Sequence, residues 1–341
     1  MMQALLHRLL TKTSNDLNQA QQELKWLTIY VLQQTKNPIL NKLKTSIIST
    51  NEIIKNLNNN EKLLLSKYVN ERVEKSKPLQ YILGTQPFCD LEIITKPPVL
   101  IPRWETEEWT SRLIALLKPR FSTNTTFASQ KSSFKIIDIC TGSGCIALAL
   151  SNALPKNSCY INGVDISNDA LSLANLNLSI MDSCKKIHNH VEFFHFDIMK
   201  STDEQIYEFM QKSNGYDLVV SNPPYISHDE YLTLDEDVRL WEDKLAMVAD
   251  ENGTIFHNRI AYLTARYLFK KNSPFTNVWK NKIPQLVMEI GGSHQISSIV
   301  EELKKYNFKS VDIWKDSAGK AGHALVSEKG KQLKRLSAIL R

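Results

Sequence analysis

The sequence predicts an α/β fold with a mostly parallel sheet of seven strands, preceded by a small all-α domain. From Phe134 onward, short apolar runs typical of strands alternate with segments that have helical periodicity. Strands separated by helices in this way pair in parallel, and the helices cover both faces of the sheet. Residues 1–75 contain almost no glycine or proline, and their apolar residues recur at helical spacing. Those residues are therefore predicted to form short helices.

The strands are predicted at seven apolar runs of the C-terminal part. These are residues 134–139, 160–164, 191–196, 216–221, 285–290, 308–314 and 321–326. Helices are predicted before and between the first six, at residues 104–117, 145–154, 168–180, 203–211, 256–269 and 293–306. Only a short turn at residues 316–320 separates the last two strands. We therefore expect those two to form an antiparallel pair at one edge of the sheet.

Three parts are expected along the 341 residues. They are a helical N-terminal domain over residues 1–80, a linker with a β-hairpin over residues 81–100, and an α/β domain over residues 101–341. Prolines bracket the short β-rich runs of the linker, and a proline can neither continue a helix nor donate to a strand ladder. The stretches at residues 122–133 and 270–283 are interpreted as surface insertions.

The composition excludes several classes of protein. The hydrophobic content of 42% is that of an ordinary globular chain. No apolar run approaches the roughly 18–20 residues that a membrane-spanning helix needs. The five cysteines form no Cys-x-x-Cys pair, so we expect neither a disulfide framework nor a zinc site, and a reducing compartment fits better.

The net charge of +6 is concentrated in the N-terminal part, because residues 1–88 hold 12 Lys and Arg but 6 Asp and Glu. This excess indicates contact with an acidic partner or nucleic acid, and it fits a Lys-rich solvated helical surface equally well. Residues 1–14 carry Arg8 and Lys12 with no acid. That pattern is compatible with a mitochondrial targeting segment and equally with the first helix of the folded domain.

The motif Asn222-Pro223-Pro224-Tyr225 follows the apolar run at residues 216–221. Because a proline fixes its own φ and lacks an N–H, the pair of prolines ends the strand in a stiff loop. The Asn222 side chain and the Pro223 carbonyl then offer two acceptors, and Tyr225 offers a flat face. This arrangement predicts a pocket for a planar amine, such as a base or a carboxamide. The alternative is a proline-rich turn with an Asn cap.

Polar residues at other strand ends predict a nucleotide site, because ligands of open α/β sheets bind beyond the carboxyl ends of the strands. Gly142 and Gly144 allow close backbone approach at a helix N-terminus. Asp165 ends the next strand and can accept the hydroxyls of a ribose, and Asp197 would lie beside the base. Both aspartates could instead be turn or helix caps.

The glycine-rich turn argues against a phosphate cradle. It lacks the terminal Gly-Lys-Ser/Thr of a phosphate-binding loop, and Ala147 breaks the Gly-x-Gly-x-x-Gly pattern. An adenosine without phosphates, such as S-adenosylmethionine, fits better.

Together with the turn Asp138-Ile-Cys-Thr-Gly-Ser-Gly144, the Asn-Pro-Pro-Tyr motif resembles class I S-adenosylmethionine-dependent methyltransferases that act on planar amines. Residues 78–84 and 99–107 resemble the segment that joins the two domains in peptide chain release factor glutamine methyltransferases of the bacterial and mitochondrial type. Residues 236–239 resemble the same family. The resemblance covers nearly the whole chain.

The resemblance implies methyl transfer to the glutamine of the Gly-Gly-Gln motif in a class I release factor, with S-adenosyl-L-methionine as cofactor and residues 1–80 recognising the substrate. It implies a mitochondrial or else cytoplasmic location, and no metal, membrane or direct nucleic-acid binding. The cofactor-binding residues it implies are Cys140, Thr141, Gly142, Ser143, Gly144, Asp165, Asp197 and Asn222. The substrate-binding residues are Asn222, Pro223, Pro224 and Tyr225, of which Asn222, Pro223 and Tyr225 are catalytic.

The chain departs from the family pattern at a few positions. Cys140 stands where the family usually has Gly, Trp104 where it usually has Pro, and residues 247–253 lack the usual Gly-Gly-x-Asp-Gly stretch. The pattern indicates a diverged member. Arg103, Glu105 and Glu107 belong to the resembling motif, and either a place near the cofactor or a structural ion-pair role is open to them.

Two alternatives from other classes remain at this point. A methyltransferase acting on exocyclic amines of rRNA, tRNA or DNA shares the Asn-Pro-Pro-Tyr chemistry and suits the basic N-terminal part. A non-catalytic protein that keeps the fold would bind the cofactor without turnover.

Overall fold

The computed structural model describes residues 1–40, 49–122, 133–269, 283–308, 310–315 and 321–328, without the side chains of residues 122, 210–213 and 321–328. The predicted insertions at residues 122–133 and 270–283, and the turn at residues 316–320, lie wholly or almost wholly outside these ranges. The described chain divides into two compact units. The first comprises Met1–Thr85, Thr95–Pro97 and Leu234–Glu242, and the second comprises the remaining residues. The predicted three-part division, with its substrate-recognition role for residues 1–80, stays a prediction.

The first unit is helical. Its helices are Met2–Lys12, Leu17–Gln34, Thr50–Lys55, Asn59–Glu74, Leu79–Leu83 and Glu236–Trp241. Their apolar faces meet in one core that includes the fully buried Leu9, Leu27 and Leu65. Helix Asn59–Glu74 begins at a capping box, in which Asn58 accepts from the Glu61 N–H and Glu61 accepts from the Asn58 N–H.

Two features of this unit bear on the sequence predictions. Leu5 and Leu9 of the first helix are buried in the core, so residues 2–12 are an integral part of the folded unit. Arg72 is buried and its guanidinium forms ion pairs with Glu23 and with Asp237, at 3.0 Å each. The second pair holds helix Glu236–Trp241, which follows the Asn-Pro-Pro-Tyr motif, within the helical unit.

The second unit is built on the sheet. Its strands are β1 (Thr85–Phe88), β2 (Leu91–Ile94), β3 (Phe134–Ile139), β4 (Cys159–Asp165), β5 (His190–His195), β6 (Leu218–Ser221), β7 (Leu286–Met288), β8 (Ser310–Lys315) and β9 (Ala321–Glu328). Strands β1 and β2 form the expected hairpin. The main sheet has the order β5-β4-β3-β6-β7-β9-β8. Strands β3 to β7 pair in parallel, and β9 is antiparallel to β7 and β8. The predicted sheet of seven strands, mostly parallel with an antiparallel pair at one edge, is confirmed.

Helices cover both faces of this sheet. They are Trp104–Ser122, Cys145–Ala153, Asn168–Ser183, Asp203–Ser213, Ile255–Leu263 and Ser293–Lys305, with shorter helices at His228–Thr233 and Lys244–Ala246. One apolar layer includes Trp109 and Leu148, and the other includes Ile260 and Ile299. Burying both faces explains why the central strands read as continuous apolar runs.

Several bounds differ from the predictions for physical reasons. The first helix of this unit continues to Ser122, because Leu117 and Phe121 keep its apolar face in the core. Strand β6 begins at Leu218, and just before it the Asp217 carboxylate accepts from the Lys135 N–H while the Asp217 N–H donates to the Lys135 carbonyl. Helix Ile255–Leu263 is shorter than predicted, and it continues as a π-helical turn at Thr264–Leu268.

Within the described residues, no helix is long and apolar enough to cross a membrane, and no cluster of His, Cys, Asp and Glu could hold a metal ion. All five cysteines are free thiols.

Candidate active site

The carboxyl ends of β3, β4, β5 and β6 meet around a cavity of about 290 Å³. This volume is close to the lower end of the range for small-molecule sites, roughly 300–1,000 Å³. The parallel register sets Ile139 level with Val164 on one side and with Ser221 on the other. The predicted site residues that line the cavity are Cys140, Gly142, Asp165, Asp197, Asn222 and Pro224.

The glycine-rich turn after β3 has three residues in the left-handed region, with φ of 58° at Cys140, 55° at Gly142 and 81° at Gly144. Cys140 therefore holds a conformation that favours glycine. Beneath the turn, the Thr141 hydroxyl donates to Asp138 Oδ2 at 2.6 Å. Burial raises the pKa of Asp138 to about 7. This contact ties the turn to the strand that precedes it.

Thr141, Ser143 and Gly144 are not among the residues that line the cavity. Thr141 and Ser143 are buried, and a Cβ at Gly144 would lie 2.8 Å from the Phe193 ring. These three residues shape the turn from behind the cavity wall. Their predicted contact with the cofactor stays a prediction.

Asp165 is anchored by the backbone. Its Oδ2 accepts from the Gly142 N–H and its Oδ1 from the Ser167 N–H, both at 2.9 Å. Burial raises the pKa of this carboxyl, and these N–H donors oppose the shift. Each oxygen keeps a second lone pair, so the carboxylate can accept further hydrogen bonds from a diol in the cavity.

Asp197 caps a turn and also lines the cavity. Its Oδ1 accepts from the N–H groups of Met199 and Lys200, at 2.9 and 3.0 Å. This is the turn cap that the sequence left open. The same residue lines the cavity. Phe196, Ile198 and Phe256 add apolar surface there, so the cavity offers a carboxylate for a ribose and apolar walls for a base.

Asn222 directly follows β6, and the two prolines after it, Pro223 and Pro224, are buried. Its Nδ2 donates to Thr106 Oγ1 at 3.0 Å. In the described part of the chain, no group donates to Asn222 Oδ1 or to the Pro223 carbonyl. The two acceptors that the motif predicts are therefore both available.

A buried carboxylate lies behind the loop. Glu289 Oε2 accepts from the Thr106 hydroxyl at 2.7 Å and from Trp109 Nε1 at 2.8 Å, and Oε1 accepts from the Tyr225 hydroxyl at 3.1 Å. Burial raises the pKa of Glu289, and the three donors oppose it. Burial and the neighbouring Glu289 also raise the pKa of Tyr225 well above its usual value. Tyr225 is thus held by its hydroxyl.

The last residue of the loop, Tyr225, is held by Gln295 and by two closely packed glycines. Gln295 Nε2 donates to the Tyr225 carbonyl at 2.8 Å, and Gln295 Oε1 accepts from the Gly291 N–H at 2.8 Å. A Cβ at Gly253 would lie 2.0 Å from the Tyr225 carbonyl oxygen, and one at Gly291 would lie 2.8 Å from the Tyr225 ring. Two glycines and one glutamine therefore determine where Tyr225 lies.

The residues of the 99–107 motif separate by role. Glu107 Oε1 accepts from the Cys89 N–H at 2.8 Å and ties the helix to the β1–β2 hairpin, which is a structural role. Val99 and Leu100 line the cavity, as does Pro98 immediately before the motif. Glu105 and Arg103 act on Tyr225 through their charges, and their roles stay open.

Sequence reasoning missed Glu289, Thr106, Trp109 and Gln295. Glu289 could have been found, because it directly follows β7, and Asp165 and Asn222 occupy similar positions at the ends of their strands. A carboxylate beside a buried apolar run is also unusual. Thr106 lay unremarked between two singled-out glutamates. Trp109 and Gln295 carry no such pattern.

Residues 123–238 match the family described as "Methyltransferase small domain". A Schizosaccharomyces pombe protein named "Probable MRF1 mitochondrial N(5)-glutamine methyltransferase" is 32% identical over 76% of this chain and 78% of its own length. A Fusobacterium nucleatum protein named "Release factor glutamine methyltransferase" is 31% identical, over 83% and 73%. The "Mitochondrial MRF1 N(5)-glutamine methyltransferase" of Saccharomyces cerevisiae is 32% identical, over 72% and 69%. The chain belongs to the release factor glutamine methyltransferase family.

Membership of this family confirms the predicted enzyme class, a methyltransferase with S-adenosylmethionine as methyl donor. It does not favour the nucleic-acid alternative. Two of the similar members are named as mitochondrial proteins and the Fusobacterium protein is bacterial. The cavity lining fits this donor, since Asp165 can hold a ribose and the apolar walls can hold an adenine.

Proposed function

We propose that this chain methylates the side-chain amide nitrogen, N5, of the glutamine in the Gly-Gly-Gln motif of a class I release factor, and that it does so in mitochondria. The observation that carries the proposal is the orientation of the Asn222 side-chain amide. Its Nδ2 is tied to Thr106 and its Oδ1 is left as an acceptor, beside the cavity that fits S-adenosylmethionine.

The chemistry required is the activation of a weak nucleophile. An amide nitrogen is weak because its lone pair is delocalised into the carbonyl. S-adenosylmethionine supplies a methyl group on a sulfonium that is already activated for transfer. The task of the protein is to position the amide and to stabilise the charge that develops on its nitrogen.

Asn222 Oδ1 and the Pro223 carbonyl accept from the two hydrogens of the glutamine amide in this proposal. They orient the nitrogen, increase its electron density, and stabilise the positive charge that grows on it during transfer. Tyr225, held by Glu289, packs against the plane of the amide. No general base is required if the proton leaves after transfer.

The proposed substrate and location have independent support. The helical N-terminal part carries the excess of basic residues, which suits contact with acidic side chains of a partner protein. The location is supported by the two fungal members named as mitochondrial. Fractionation of cells that express a tagged full-length chain tests the location, and recovery of the protein outside mitochondria would refute it.

The activity is tested with labelled S-adenosylmethionine and a purified mitochondrial class I release factor. The matched control is the same factor with Gln→Ala in its Gly-Gly-Gln motif. We expect label on the glutamine form alone. Label on rRNA, tRNA or DNA in place of the protein would refute the proposal and assign the chain to nucleic-acid methylation.

A further inference from the structure

A chain of hydrogen bonds with a defined direction connects Glu289 to Asn222. An indole N–H can only donate, so the contact from Trp109 at 2.8 Å marks Glu289 Oε2 as an acceptor. The Thr106 hydroxyl lies 2.7 Å from the same oxygen, and with Glu289 ionised it donates its single proton to that carboxylate. Thr106 Oγ1 can then only accept from Asn222, 3.0 Å away. The Asn222 NH2 therefore faces Thr106.

We propose that Glu289 and Thr106 are positioning residues that set the polarity of Asn222, so that its carbonyl oxygen faces the methyl-accepting amide. The inference rests on the proposed function and deepens it. An asparagine amide can be turned by 180° with almost no change of shape. A reversed Asn222 would present an NH2 to the NH2 of the substrate, and the acceptor would be lost.

The same carboxylate also orients the second side chain of the loop. Glu289 Oε1 accepts from the Tyr225 hydroxyl at 3.1 Å. At the base of the loop, His257 Nε2 donates to the Glu289 backbone carbonyl at 2.7 Å and fixes the end of β7. One rigidly held residue thus sets two groups that the proposed mechanism uses.

The burial of Glu289 itself argues for a functional role. The residue is 1% exposed, and it forms no ion pair in the described part of the chain. Burying a carboxylate without a cation is unfavourable, and a well-packed apolar residue in its place is usually as stable or more so. Packing alone therefore does not account for a carboxylate at this position.

The helix Trp104–Ser122 offers a matched pair of variants. Thr106 and Thr110 lie one turn apart and are both buried. Among the described residues, no group hydrogen bonds to the Thr110 hydroxyl. Thr106→Val removes the connection between Glu289 and Asn222, Thr106→Ser keeps it, and Thr110→Val removes a buried hydroxyl outside the network.

Steady-state methylation of the release factor is measured for these variants and for Glu289→Gln. We expect Thr106→Val and Glu289→Gln to lower kcat about 100-fold, by analogy with misplaced reacting groups, with little change of KM for S-adenosylmethionine. Thr106→Ser should restore most of kcat, and Thr110→Val should leave both parameters unchanged. Melting curves show which variants remain folded. Equal kcat for Thr106→Val and Thr110→Val would overturn the proposal.

A second readout does not need activity. In protein labelled with [15N]asparagine, the side-chain NH2 signals of Asn222 are identified by their loss in Asn222→Asp. We expect them to exchange slowly with solvent in the wild type and in Thr106→Ser, and to shift and exchange faster in Thr106→Val and Glu289→Gln. Unchanged Asn222 signals in Thr106→Val would refute the positioning role. If the wild type fails to methylate the release factor, the proposed function is wrong and these spectra still decide the polarity of Asn222.

Discussion

Gly253 is the position where one added methyl group should most disturb the loop formed by Asn222 to Tyr225. Its φ of 83° lies in the left-handed region, which costs an L-residue roughly 1–2 kcal/mol. An alanine Cβ there would also lie 2.0 Å from the Tyr225 carbonyl oxygen, about 1 Å inside the shortest tolerated contact. Relieving such overpacking adds about 1–3 kcal/mol. Gly253→Ala should therefore destabilise the protein by about 2–5 kcal/mol.

The displacement should also affect activity, because the atom that must move belongs to Tyr225. A shift of about 1 Å in a positioned group can lower kcat roughly 100-fold. The matched control is Gly84→Ala, where φ is 81° but no atom lies within 4 Å of the added Cβ. That variant should lose the conformational part of the stability and keep kcat.

The assay combines urea unfolding with methylation of the release factor at a temperature where both variants are folded. The expected result is a larger loss of stability for Gly253→Ala and a loss of kcat in that variant alone. If the two alanine variants lose the same stability and keep the same kcat, the close packing of Gly253 on Tyr225 has no functional meaning.

Three further predictions follow from the site. Asn222→Ala should lower kcat by about 10²–10³ while calorimetry shows little change in S-adenosylmethionine affinity; equal losses of both would contradict the division of roles. Asp165→Asn should weaken cofactor binding about tenfold or more, whereas Asp169→Asn, at an exposed position, should not. Calorimetric titration of both variants with S-adenosylmethionine measures the difference. His257 has its pKa lowered to about 4 by burial. As the pH falls below 6.5, the imidazole is therefore protonated in the unfolded chain but not in the folded protein. The free energy of unfolding decreases for this reason until the pH reaches about 4. Between pH 7.5 and pH 4, urea unfolding should show that His257→Gln loses roughly 3 kcal/mol less stability than the wild type. An equal loss in both proteins would contradict the buried neutral imidazole.

Much of the fold follows from patterns that are local in the chain. The alternation of apolar runs and helical segments predicted the seven strands because each buried strand must be apolar along its own length. The Ser167 cap is likewise local, and its hydroxyl accepts from the Ala170 N–H at 3.2 Å. Element ends were less predictable. Helix Trp104–Ser122 continues beyond its predicted end because distant core residues bury Leu117 and Phe121.

The sequence by itself determined the loop at Asn222 and the turn at Gly142, since two prolines restrict the backbone and two glycines permit left-handed conformations wherever they occur. It also determined which strand ends carry polar groups around the cavity. Only the tertiary structure decided which way Asn222 faces. Thr106 lies 116 positions from Asn222 and 183 positions from Glu289, and no local pattern joins them. A hydrogen-bond chain depends on the packing of a helix against the sheet and on the register of β6 with β7, which arise only when the whole unit is folded.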